Sequence, residues 1–244
     1  MQQVQQVQGV QQVQQVQQVQ RVQQVQRVQE VQRVRCVVAA VMMLAVLVAQ
    51  AAPAAAQSRG RAGTPGAPIT YFIADGNPKT GFRASDVELA RWALDAWSRS
   101  AGRGLRFEPA AEGAALVRVY WGDPVGGEYG ETRSFMMQGQ RGAEVFVRPD
   151  ISALGPELAS RARADALWRE TVVYLTCVHE IGHALGLDHT RDFRDIMFYF
   201  GYGGDIVQYF GRYRAQLTTR ADIARHSGLS AADVQKISAL YQPR

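Results

Sequence analysis

Apolar and polar positions follow three different rhythms along this chain. Over the first 35 residues valine recurs at every third position, from Val4 to Val34, with glutamine filling most places between. A period of three matches neither the 3.6 of an amphipathic helix nor the 3.5 of a coiled coil, so the valine row drifts around any helix it forms and builds no core. Residues 1–36 therefore read as a low-complexity tail able to associate with itself, or as a stretch upstream of the true translation start. The second rhythm is an unbroken run: after Arg33 and Arg35, Val37 to Ala49 carry no polar side chain, and Gln50 to Ala56 are mostly small. A positive flank, an apolar stretch and small residues at its end are the parts of a secretory signal peptide over 37–56, cleaved before Gln57. A retained membrane anchor is the rival reading, although spanning takes about 20 apolar residues and Gln50 and Pro53 interrupt the run.

The third rhythm is that of a folded domain over 69–244, after a Gly, Pro and Ala-rich lead-in at 57–68. Ile69 to Ile73 is β-branched and aromatic and closes on the turn cluster Asp75 to Pro78, which predicts a strand. Ser85 to Glu88 has the form of a capping box, and Val87, Ala90, Arg91, Leu94 and Trp97 follow at helical spacing until Gly102. Leu105 to Glu108, Leu116 to Tyr120 and Glu144 to Arg148 predict further short strands. Between the last two lies a glycine-punctuated segment, 126–142, with Ser134 to Gln138 as an edge strand. Strand, helix and then several strands predict an α+β domain, a mixed sheet with helices packed on it.

Charge changes this picture little. Of 27 basic and 22 acidic residues, the first 56 positions hold four and one, so the remainder is nearly balanced and offers no footprint for nucleic acid. Two cysteines, Cys36 and Cys177, exclude a disulfide scaffold and a cysteine-only metal site. A lone Cys177 in a secreted domain leaves packing or a metal to stabilise the fold.

The chemistry is concentrated in 171–189. His179 and His183 are four apart on a predicted helix, about 40° apart around its axis, so both imidazoles can face one ion. Gly186 tolerates the left-handed backbone that ends a helix and turns the chain back, which lets His189 come round as a third ligand. Three neutral imidazoles leave the fourth position of a tetrahedral zinc open, the arrangement of a catalytic rather than a structural site. Glu180, beside the first ligand, is placed to take a proton from water. Cys177, about 200° around the helix from His179, is expected on the opposite face as a small apolar residue. Asp188 is a candidate to orient a ligand or the turn from behind, and His226 is expected on the surface at a helix end.

The spacing His179-Glu180-x-x-His183-x-x-Gly186-x-x-His189, followed by Met197, resembles the metzincin metallopeptidases and, among them, the matrixins. Gly186 to Thr190, the eight-residue step to Met197 and the terminal segment Leu229 to Tyr241 all look like that family. The resemblance implies a zincin-like fold: a twisted sheet of about five strands, an active-site helix and a C-terminal helix. It implies one zinc on His179, His183 and His189, Glu180 as general base, Met197 as an apolar floor, and a polypeptide substrate extended along an edge strand near Arg133 to Gln138. The single histidine left over, His226, argues against a second structural zinc. Calcium is a possible further ion, with Asp75, Asp123 and Asp150 as candidate ligands. The stretch 198–227 is longer than the family's usual link and rich in aromatics and glycine; it reads either as a determinant of substrate choice or as extra core. Tyr199, two residues past Met197, reads as a transition-state stabiliser or as a pocket wall. The chain is thus expected to be a secreted zinc endopeptidase, the alternative being a noncatalytic protein-binding module at the cell surface. Membrane contact is expected only if the apolar segment stays uncleaved, and no oligomeric state is indicated.

Overall fold

Five strands of the expected α+β domain form one sheet: β1 (Ile69–Ile73), β2 (Phe107–Pro109), β3 (Val117–Trp121), β4 (Gly130–Met137) and β5 (Gln140–Val147), in the order β2-β1-β3-β5-β4. The computed structural model describes residues 62–63, 66–122 and 129–241. The valine repeat, the signal segment with its cleavage point, most of the 57–68 lead-in and Asp123 lie outside the described residues. Strands β1, β2, β3 and β5 run parallel, and β4 closes one edge antiparallel to β5. Among the described residues no helix is long and apolar enough to cross a membrane.

Alternation along the strands sorts the two faces of the sheet. Val117, Val119 and Trp121 of β3 lie in register with Ala143, Val145 and Val147 of β5, and all six are buried. The intervening residues make a ladder on the other face: Arg118 pairs with Glu144 at 3.8 Å, Tyr120 stacks on Phe146 at 5.5 Å, and the Arg133 guanidinium lies 4.6 Å above Phe146. Helix α1 (Asp86–Ala101) and helix α3 (Ala166–Ala184) pack on each other, and α3 also lies against β4 and β5. Their seam is apolar, with Leu89, Ala93, Leu94, Val173, Val178 and Ile181 buried in it. Trp97 donates its indole N–H to the Val178 carbonyl at 2.9 Å, which fixes the distance between the helices.

Several local expectations are corrected. Ser85 does not cap α1 with its side chain. The neighbouring Asp86 is buried instead; it accepts from the Arg83 N–H and meets Arg169 of α3 through both oxygens, at 2.7 and 2.8 Å. A carboxylate with a bidentate arginine partner is worth more in the interior than facing solvent as a cap. The segment expected to be glycine-rich with a short edge strand is a hairpin of eight paired positions, Gly130↔Val147 to Met137↔Gln140. Its turn runs through Gln138 and Gly139, both at positive φ, as a tight two-residue hairpin demands. Helices α2 (Pro156–Ala164) and α4 (Ile206–Arg214) were not expected from the pattern. Helix α4 turns the long stretch after Met197 into ordered structure. Arg220 ties that stretch back to the helices, reaching Glu170 at 3.0 Å, the Ser85 carbonyl at 2.8 Å, and Glu88.

Candidate metal centre

Helix α3 carries His179 and His183 on consecutive turns and ends where the sequence predicts. Gly186 has φ of 101°, its N–H donates to the His183 carbonyl, and the Leu187 N–H reaches back to the Gly182 carbonyl. This reciprocal pair is a Schellman closure, which needs a residue without Cβ at the left-handed position. The chain then reverses and brings His189 over the helix. The Thr190 N–H bonds to the Met197 carbonyl at 2.8 Å and the Tyr199 N–H to the Thr190 carbonyl, so the segment leaving His189 pairs with the one leaving Met197.

The three ligand nitrogens converge to within 4.8 Å of one another. His179 Nδ1 lies 2.7 Å from the Ile196 carbonyl, and His183 Nδ1 lies 2.8 Å from the Leu187 carbonyl. A carbonyl accepts only, so both rings carry their proton on Nδ1 and turn a bare Nε2 lone pair inward. Those lone pairs face His189 Nε2 at 3.3 and 3.0 Å. Inward-pointing imidazole nitrogens held by backbone acceptors from behind fit a zinc ion. The groups behind His179 and His183 are thus main-chain carbonyls. Asp188, considered for that task in the sequence, is exposed and stands between Leu187 and His189.

Glu180 points into the same cleft, of about 380 Å³, together with all three histidines. It is only 6% exposed, and Thr132 of β4 lies 2.7 Å from its Oε2. Met197 is fully buried beneath the helical turn bearing the histidines: a Cβ on Gly182 would stand 2.5 Å from Met197 Sδ, so that glycine makes room for the floor. From the other side, Asp233 of helix α5 (Ala231–Tyr241) accepts from the Ile196 N–H at 2.8 Å, and Ser230 donates to the buried Asp195 at 2.6 Å. The final helix therefore holds the turn on which His179 leans.

Tyr199 stacks on His189, centroids 4.7 Å apart and planes 21° from parallel. A Cβ at Gly201 would overlap that ring at 2.1 Å, so the glycine is required for the placement. Below the histidines, Phe198, Phe200, Tyr209 and Phe210 line the cleft, and Tyr129, from just before β4, meets Phe200 and Phe210 across it. The stretch after Met197 supplies the extra core expected as one reading of it, since Phe198, Tyr209, Phe210 and Tyr213 are buried, and the first three also wall the cleft. Tyr209 donates its hydroxyl toward the Asp195 and Ile196 carbonyls, which pins the ring.

Other candidates lie elsewhere. Cys177 is fully buried, and burial pushes its thiol well above the ordinary range. His226 is half-buried rather than on the surface, and its carbonyl accepts from the Tyr174 and Tyr213 hydroxyls. Asp75 is exposed, and Asp150 accepts from the Ser152 N–H in a short turn. Sequence reasoning missed Thr132, Gly130 and Tyr129, because their part in the site arises from tertiary contact with residues about 50 to 80 positions away.

Comparison with known proteins agrees with this geometry. The sequence profile of the matrixin family matches residues 64–206, ending where α4 begins. The macrophage metalloelastase of Oryctolagus cuniculus is 32% identical over 147 residues, covering 55% of this chain and 29% of that protein, so the chain spans under a third of the relative's length. With more than half of its length matched by the family, and with two of the three zinc-fitting histidines on a helix beside a five-stranded mixed sheet, the chain belongs to the matrixins.

Proposed function

We propose that the protein is a secreted zinc-dependent endopeptidase acting on extended polypeptide. The observation that carries this reading is the convergence of three imidazole nitrogens in one cleft with the Glu180 carboxylate. His179, His183 and His189 would hold a single zinc ion, which when bound acidifies water and polarises a carbonyl. Glu180 takes the proton from the attacking water onto a carboxylate oxygen and delivers it to the leaving amine nitrogen. Met197 supports the ligand helix without ligating. Tyr199, held on His189, is in place to donate its hydroxyl to the carbonyl oxygen as charge develops there, or otherwise to wall the site. Asp188 acts from behind, through the turn between the second and third ligands.

The polypeptide lies along the free edge of β4, where backbone pairing reads shape more than sequence. An apolar side chain next to the cut bond enters the aromatic pocket below the histidines. Residues 37–56 serve as a secretory signal, 57–68 as a lead-in and 69–244 as the catalytic domain, with the 1–36 repeat removed or never made.

The test is cleavage of an unstructured protein by the purified enzyme, with zinc measured alongside and Glu180→Ala as control. Wild type should cut with one zinc bound, and the variant should keep its zinc while losing roughly 10²- to 10⁴-fold in rate. A folded, zinc-loaded wild type that leaves such a substrate uncut would favour the binding-module alternative. Absence of bound zinc would overturn the proposal, and mass spectrometry finding the repeat intact on the exported protein would overturn the assignment of the first 56 residues.

A further inference from the structure

Strand β4 alternates like any strand, so Gly130 and Thr132 share one face while Glu131 and Arg133 share the other. The second pair satisfy each other at 2.7 Å. The first pair both meet Glu180. Thr132 Oγ1 stands 2.7 Å from Glu180 Oε2 and 2.9 Å from the Glu180 main-chain carbonyl. A Cβ on Gly130 would lie 2.4 Å from Glu180 Oε1 and 2.7 Å from Cδ. One carboxylate oxygen is thereby tied to a hydroxyl, and the other rests against bare main chain where no side chain fits.

We infer that Thr132 is a positioning residue for Glu180, clamping its carboxylate against Gly130 so that the strand that receives the substrate also sets the direction of the base. This rests on the reading of Glu180 as general base. A glutamate side chain has three rotatable bonds before its carboxylate, and an unclamped one samples several orientations in a cleft of this size. The hydroxyl removes that freedom before substrate arrives, which is where orientation gains rate. A hydroxyl has one hydrogen and two lone pairs, and here two acceptors lie within reach. It can donate to the carboxylate, or accept from the carboxylic acid while turning its own hydrogen to the Glu180 carbonyl. The contact therefore holds whether or not Glu180 carries the proton it moves. Among the described residues β4 has a neighbouring strand on one side only, and pairing of a polypeptide backbone along its other edge does not depend on the side chain at 132. Loss of the hydroxyl should consequently act on kcat and leave KM nearly alone.

The experiment compares Thr132→Val, which keeps the shape and removes the hydroxyl, with Thr132→Ser, which keeps the hydroxyl, in the zinc-loaded full chain. Zinc content and thermal midpoint are measured for each. Thr132→Val should lose roughly 10- to 100-fold in kcat, the scale seen when an outer partner of a catalytic group is removed. Its KM should stay within about twofold, and Thr132→Ser should recover most of the loss. A readout independent of turnover is the Glu180 side chain in crystals of wild type and Thr132→Val, one conformer in the first and several in the second. Wild-type kcat in Thr132→Val, equal losses in both variants, or an unchanged Glu180 conformer would overturn the clamp. If Glu180→Ala cleaves as well as wild type, it is the base assignment that fails, and the crystallographic comparison still decides whether the clamp exists.

Discussion

The two walls of the cleft are built from opposite materials. The upper wall is the edge of β4, in which the main chain, one hydroxyl at Thr132 and a missing side chain at Gly130 do the contacting. The lower wall is a cluster of rings, Phe198, Phe200, Tyr209 and Phe210, with three pairs edge to face at 5.0 to 5.4 Å and two nearer parallel at 6.3 and 6.4 Å. The contrast teaches that orientation and selection are separable here. In the proposed function, the upper wall meets what every polypeptide shares and aims the base, while the lower wall meets the side chain that distinguishes one substrate from another.

Substitutions in each wall should therefore fail in different ways. The largest expected effect is on the lower wall: Phe210→Ala, at a residue 2% exposed, should cost about 3–5 kcal/mol through the lost burial and the cavity left behind. Chemical denaturation checks this, and where the variant folds it should accept bulkier side chains beside the cut bond. On the upper wall, Gly130→Ala should leave the unfolding midpoint close to wild type yet reduce kcat/KM by roughly 100-fold, because the new Cβ displaces the Glu180 carboxylate. A variant that loses stability and activity together would erase the distinction between the walls.

Support from behind is the next test. Asp233→Ala should cost about 1–3 kcal/mol by leaving the buried Ile196 N–H and the half-buried Ser230 N–H without their acceptor. It should also loosen the turn carrying the Ile196 carbonyl, seen as weaker zinc retention against a chelator. Burial raises the Asp233 carboxyl above the ordinary carboxylate range. The folded chain therefore keeps that proton to higher pH than the unfolded chain does. Its contribution to stability is fullest below the ordinary range and is lost as pH rises through the raised value. Asp233→Asn, which keeps an acceptor, should flatten that slope in a series of unfolding curves. The smallest effect concerns Cys177: fully buried with its thiol pushed upward, it should resist alkylation until the domain unfolds.

What the sequence revealed follows the range over which each feature is determined. The histidine spacing, the Gly186 turn and the Met197 position are local, and local chemistry dictates them. Ile69–Ile73 and the end of α1 at Gly102 were legible for the same reason. The β4–β5 hairpin was only half legible, because Gly130, Gly139 and Gly142 weaken a strand pattern that tertiary packing restores. A Cβ at Gly142 would meet the Phe135 ring at 2.5 Å, so that glycine is there for the neighbouring strand and not for a loop. Asp86 carried no signal of its buried role because its partner Arg169 is 83 residues away. Thr132 carried no signal at all, since a threonine in a strand is ordinary until its neighbour across the cleft is known.

An edge able to take up passing chains is also an edge able to take up copies of itself. Among the described residues strand β4 has a neighbouring strand on one side only, and it carries Met136 at 68% exposure. Sheet edges of this kind are where proteins begin to aggregate. The Glu131 and Arg133 pair, set on the outer face of the strand, gives that edge charged guards against self-association. Resistance to self-association and the proposed docking of substrate thus share one eight-residue strand, and neutralising those two charges trades the first for nothing the second requires.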